Sequence, residues 1–132
     1  MIVLDTHALV WWVNEDSRLT PRARSAIEDT LGGNDQVLVS AISAWELAML
    51  VHRGRVALAM DIDEWLRTVQ SIDGVSLVPV SAQVAAQSVT LPGQFHADPA
   101  DRMIVALARE LNVPLVTADE KMHRYPHVRW LW

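Results

Sequence analysis

The chain has 132 residues, enough for one domain with a buried core and too few for a second. With 51% apolar and 20% charged residues it is not a disordered solvating segment, and without cysteine it has neither a disulfide framework nor a thiolate metal site. The formal net charge of −5 argues against a protein that holds nucleic acid through a broad basic surface, unless several of its acids surround cations that would themselves attract phosphate.

Met1 to Asp5 contains no basic leader, and apolar runs such as Ala8 to Val13 fall well short of the roughly 20 residues of a membrane span, so a cytoplasmic protein is expected. Ile2-Val3-Leu4 reads as a short strand buried on both faces, and Ala8 to Val13 continues as a helix. Thr20-Pro21 is an N-cap followed by proline at the first helical position, opening a helix toward Leu31 that Gly32-Gly33 ends. Gln36 to Val39 is β-rich. Ser43-Ala44-Trp45-Glu46 has the capping-box pattern for a helix running to Arg53-Gly54. Asp61 to Ser71 is a further helix, Val75 to Val80 a strand, and Ser81 to Val89 a helix that Pro92-Gly93 cannot continue. Asp98-Pro99-Ala100-Asp101 opens the most apolar helix, Met103 to Leu111. Leu115-Val116-Thr117 is another buried strand, and Val128 to Leu131 supplies an edge strand. Strands alternating with helices predict right-handed crossovers and a central parallel sheet, hence a single α/β domain over residues 1–132 built as a three-layer α/β/α sandwich.

In such a sheet the C-terminal strand ends and the helix N-termini share one edge, where ligands bind. Asp5 follows the first strand, Glu46 lies in the helix after the second, Asp98 and Asp101 open the apolar helix, and Asp119 follows the Leu115 strand. Carboxylates also collect at this edge simply as helix caps, and Asp98 before Pro99 suits that role well. Asp101 differs, because Ile104, Val105 and Ala108 place it on the face that turns inward. Glu46 is the one ionisable residue from Ala44 to Val51, and a lone carboxylate buried there would cost several kcal/mol. Lys121 is the sole lysine and the neighbouring arginines are too few to neutralise the group. Mg²⁺ or Mn²⁺, which prefer carboxylate and water oxygens, would do so, and such a centre suits phosphoester hydrolysis.

Four segments carry a resemblance: Val3 to Leu9, Val39 to Ala48, His96 to Arg102, and Leu115 to Asp119. In this order they resemble the PIN-domain nucleases, in particular the VapC-like toxins. The resemblance implies Mg²⁺- or Mn²⁺-dependent hydrolysis of RNA phosphodiesters leaving 5′-phosphate and 3′-hydroxyl ends, a homodimer, and inhibition by a VapB-like antitoxin. By position it implies that Asp5, Glu46, Asp101 and Asp119 are the metal-binding acids, with Asp98 an accessory ligand and Thr6 and Thr117 polar supports. Arg102, His7 and His96 remain outside this set, since an arginine beside Asp101 could equally form a local ion pair and scattered histidines are commonly structural. Trp11 and Trp12 are adjacent on a helix and cannot share a face, so one of them should be exposed or lie in an interface. The competing reading is a non-catalytic metal-binding or receiver-like signalling domain. A receiver would carry its phosphoacceptor aspartate after the central strand, and Val39 to Ser43, read as that region, offers serines.

Overall fold

Period-two alternation decides which side of the sheet each strand residue faces, and here both sides are apolar. In the computed structural model, which describes residues 1–132, β1 (Ile2–Leu4), β2 (Val37–Ser40), β3 (Val75–Val78), β4 (Leu115–Val116) and β5 (Trp130–Leu131) form one parallel sheet. Ile2, Leu4, Val37, Val39, Val75 and Val116 point into one hydrophobic cluster, while Val3, Leu38 and Leu115 point into the other. The first cluster is closed by α1 (Thr6–Val13), α2 (Pro21–Gly32) and α4 (Ile62–Ser71), through Leu9, Ile27, Trp65 and Val69. The second is closed by α5 (Ala82–Val89) and α6 (Pro99–Leu111), with Ile104 to Ala108 buried without interruption. Between the layers, α3 (Ala41–His52) sends Leu47 to the first cluster and Ile42 against the second. The expected three layers are thereby formed.

The strand order is β3-β2-β1-β4-β5. β1 is therefore the central strand, and the residue that follows it is Asp5, not the serines after β2. That corrects the sequence-based objection to a receiver domain, and the order itself replaces it: receiver-like sheets run 2-1-3-4-5, whereas this order reverses between β1 and β4. A crevice opens at that reversal, outside the ends of β1 and β4.

Local chemistry also shifts two element starts and adds one helix. Asp5 caps α1, accepting from the Thr6 N–H at 2.8 Å, so this helix begins at Thr6 and not Ala8. Ser40, not Ser43, caps α3: its Oγ accepts from the Ile42 N–H at 3.2 Å, and the capping-box reading is wrong by one turn. Ser43 is instead buried inside α3, where its Oγ accepts from Thr6 Oγ1 at 2.9 Å. A four-residue helix that the sequence pattern did not reveal, α7 (Glu120–His123), starts at Asp119. Before β3 the chain turns at Gly74 with φ +85°, where a Cβ would stand 2.7 Å from Leu31 Cδ2; only glycine fits.

Leu115 is fully buried in a strand only two residues long. Leu115→Ala should lower unfolding free energy by about 2–5 kcal/mol, read as a reduced urea midpoint with an unchanged slope.

Candidate active site

Each acid reaches the crevice because a secondary-structure terminus delivers it. Asp5 ends the central strand and begins α1, and is only 6% exposed. Its two oxygens are separately engaged: Oδ1 accepts from the Thr6 N–H at 2.8 Å, and Oδ2 from Thr117 Oγ1 at 2.7 Å. Thr117 follows β4, so this bond ties neighbouring strand ends across 112 residues of sequence. The same Oγ1 accepts from the Asp119 N–H at 3.0 Å, and Asp119 Oδ1 in turn caps α7 by accepting from the Lys121 N–H at 2.8 Å. Of the two threonines read from the sequence as polar supports, Thr117 holds a carboxylate and a backbone N–H with its hydroxyl, whereas Thr6 reaches Asp5 through its backbone N–H and turns its hydroxyl to Ser43.

Glu46 enters from α3 and Asp101 from the first turn of α6. One carboxylate oxygen each from Asp5, Glu46 and Asp101 lie within 4.8 Å of one another. A second group with the same spacing comprises His96, Asp101 and Asp119, so Asp101 belongs to both. Asp98 is in neither: it is exposed and caps α6, its Oδ1 accepting from the Asp101 N–H at 2.9 Å. The groups open onto a cavity of about 350 Å³ lined by Asp5, His7, Trp11, Glu46, Asp101, Ala118 and Asp119. No lysine or arginine lines it.

Withdrawal from water, followed by repulsion from neighbouring acids, disfavours ionisation of Asp5, Glu46 and Asp101. Burial pushes the Asp5 carboxyl above its ordinary range against the opposing effect of the Thr117 and Thr6 hydrogen bonds. Glu46 is raised by burial and then by Asp5 and Asp98. Asp101 is pushed up to about 8, by burial first and then by Asp5, Asp98, Glu46 and Asp119.

Arg102 is occupied otherwise than by the local ion pair considered from the sequence. Its Nε donates to the Ser88 carbonyl at 2.7 Å and Nη2 to Val89 at 3.2 Å, satisfying last-turn carbonyls of α5. Nη1 donates to the carbonyls of Phe95 at 2.8 Å and His96 at 3.1 Å. This guanidinium fastens the loop before α6 and makes no ion pair with Asp101. The loop it fastens carries His96, whose Nε2 lies 3.0 Å from Asp101 Oδ2 without hydrogen-bond geometry or any other partner. His96 Nδ1 accepts from the Asp98 N–H at 3.4 Å, which sets the ring with Nε2 toward the acid. Sequence reading set His96 aside; its position five residues before Asp101, across a proline-started helix, was the signal available. Neither Trp11 nor Trp12 is fully enclosed, but neither is exposed, the first of the two outcomes expected for one of them: both are half-buried and pack against the first hydrophobic cluster.

A crevice at the reversal of a parallel sheet, lined by carboxylates from four chain segments and by no cation, defines an acidic-pocket α/β protein suited to divalent ions. The PIN-domain family profile matches residues 2–128, and the chain belongs to that family. It is 40% identical over 133 residues to Ribonuclease VapC22 of Mycobacterium tuberculosis, covering 99% of this chain and 98% of that protein. Its fold is shared with VapBC2 of Rickettsia felis bound to a DNA fragment from the promoter, at a TM-score of 0.68 and 20% identity over 98% of this chain and 97% of that one. DNA-bound VapBC from Salmonella typhimurium gives a TM-score of 0.68 at 18% identity, covering 98% and 95%.

The raised Asp101 carboxyl makes the metal-free protein sensitive to pH in a defined direction. Its folded value of about 8 exceeds the unfolded value of 3.8, so the native state binds the extra proton between them. The stability it contributes is fully present below the unfolded value and is lost as pH rises toward 8. Thermal unfolding in EDTA should therefore show a falling Tm across that window, and Asp101→Asn should flatten the fall.

Proposed function

We propose that this PIN-domain ribonuclease, the toxin of a toxin–antitoxin pair, hydrolyses RNA phosphodiester bonds with Mg²⁺ or Mn²⁺ held by Asp5, Glu46, Asp101 and Asp119. The observation that carries this reading is the convergence of three carboxylate oxygens within 4.8 Å in a cavity with no lysine or arginine to neutralise them. All the converging donors are oxygens apart from one imidazole, which suits Mg²⁺ or Mn²⁺ better than a thiophilic ion. When bound, the cation supplies Lewis-acid activation of water and neutralises charge gathering on the phosphate.

The chain's own residues orient that chemistry. Asp5 is fixed at both oxygens by Thr6 and Thr117, so it presents a predetermined direction to a ligand. Asp101 stands at the junction of both candidate groups, and Glu46 and Asp119 approach it from opposite sides of the crevice, from α3 and from the end of β4. Asp98 adds negative potential from the start of α6 while capping it. The family resemblance implies 5′-phosphate and 3′-hydroxyl ends, and attack by water is consistent with them because no ribose 2′-hydroxyl has to attack.

The relatives named above as VapC and VapBC support a small VapB-like antitoxin as the partner. A homodimer is supported by Trp45 of α3, a large apolar side chain left 53% exposed. No helix is long and apolar enough to cross a membrane, which agrees with action on RNA in the cytoplasm.

Purified chain incubated with mixed structured RNAs and Mn²⁺ or Mg²⁺ should cleave them, and EDTA should stop the reaction. Asp5→Asn and Asp101→Asn should each reduce the rate at least about 100-fold. Cleavage that persists in EDTA, or at full rate in either variant, defeats the reading.

A further inference from the structure

One wall of the acidic cavity is aromatic. Trp11 lies on α1 six residues after Asp5, about 9 Å along the axis at a rise of about 1.5 Å per residue. His7 is one turn before Trp11 on the same face, its ring centroid 5.8 Å away and tilted by 53°. On another side Trp132 stands 5.8 Å from Trp11 at 54°, and the Arg18 guanidinium sits 4.9 Å from the centre of the indole. Arg18 is itself held by Asp16, through Nε at 3.1 Å and Nη2 at 2.8 Å. The indole is held by these three neighbours and by packing against the first hydrophobic cluster, yet remains partly open to the cavity, and His7 is exposed. Trp65, at 2% exposure, shows what a tryptophan serving only the core looks like in this chain.

Charge gives RNA little purchase on this cavity. The net charge is −5, the cavity lining contains no lysine or arginine, and the nearby Arg18 and Arg102 are occupied by Asp16 and by four carbonyls. A cation at the carboxylates can hold the scissile phosphate, and Lys121 and Arg124 lie with His96 along a neighbouring pocket, but the wall that Trp11 forms carries no cation of its own. Base stacking on an aromatic face is the attraction that does not depend on phosphate charge, and a preset ring offers it at low entropic cost.

We propose that Trp11, with His7 at its edge, is a stacking platform for a nucleobase next to the scissile phosphate of single-stranded RNA. This rests on the reading of the chain as an RNA-cleaving enzyme. It assigns the half-exposed tryptophan a substrate-binding role, separate from the carboxylates that carry out the reaction.

Cleavage of random-sequence single-stranded RNA in Mn²⁺ tests it with Trp11→Ala, Trp11→Phe and His7→Ala. Trp11→Ala should raise KM roughly 5- to 100-fold with kcat within about twofold, and Trp11→Phe should recover most of the loss. His7→Ala, at an exposed position that leaves folding intact, should raise KM roughly two- to tenfold. A fall in kcat at unchanged KM, or a phenylalanine variant no better than alanine, would make Trp11 structural and overturn the proposal. A second readout needs no turnover: tryptophan fluorescence titrated, in Ca²⁺, with an oligoribonucleotide and with an abasic strand of equal length. Quenching by the base-bearing strand alone, absent in Trp11→Phe, is expected; equal responses to both strands, or none, would overturn the platform. If the wild-type chain shows no Mn²⁺-dependent cleavage, the ribonuclease reading fails on that result, while the titration still decides the platform.

Discussion

A carboxylate at the end of the central strand organises this protein. Asp5 is buried, caps α1 with one oxygen and receives the Thr117 hydroxyl with the other, so a single side chain joins β1, α1 and the end of β4. Those three pieces meet where the strand order reverses, which is also where the crevice opens. Cap, cross-strand tie and candidate ligand are thus one group, and its orientation is settled by bonds that a folded sheet must make in any case.

The remaining acids are brought to Asp5 against their mutual repulsion. Glu46 and Asp101 are raised by burial and by each other's surroundings, and no lysine or arginine enters the cavity to offset them. An arrangement that opposes its own ionisation is unfavourable as a structural device, since apolar side chains would fill the same space at lower cost. It is intelligible as a site whose missing positive charge comes from outside the chain. Fold stability and cation binding are then coupled through the same carboxyl groups.

Two arginines near that site are committed to structure. Arg102 gathers the carbonyls of Ser88, Val89, Phe95 and His96, anchoring the end of α5 and the loop from which His96 faces Asp101. Arg18 is bound by Asp16 and lies over the Trp11 ring.

The α/β/α class, the five strands and most helices follow from patterns local to the sequence: apolar triplets such as Ile2-Val3-Leu4, the Thr20-Pro21 and Asp98-Pro99 starts, the Pro92-Gly93 break. These are legible because propensity and capping depend on residues within one turn of each other. That Asp5, Glu46, Asp101 and Asp119 could share an edge also follows, since each adjoins a strand end or a helix start. Local pattern failed where two serines competed for one cap: Ser40 won at α3 because Ser43 is turned inward to accept from Thr6, a partner 37 residues away. It failed for Arg102 and His96 for the same reason, as the carbonyls and the acid they face are assembled by the packing of α5 against α6. Which strand stands at the centre was likewise invisible, because every strand here is a short apolar run and their order is fixed only by how the crossovers pack. Sequence determined the elements and the chemical types at their ends; tertiary structure alone decided which of those ends meet, because hydrogen bonds and repulsions between distant residues exist only once the sheet has closed.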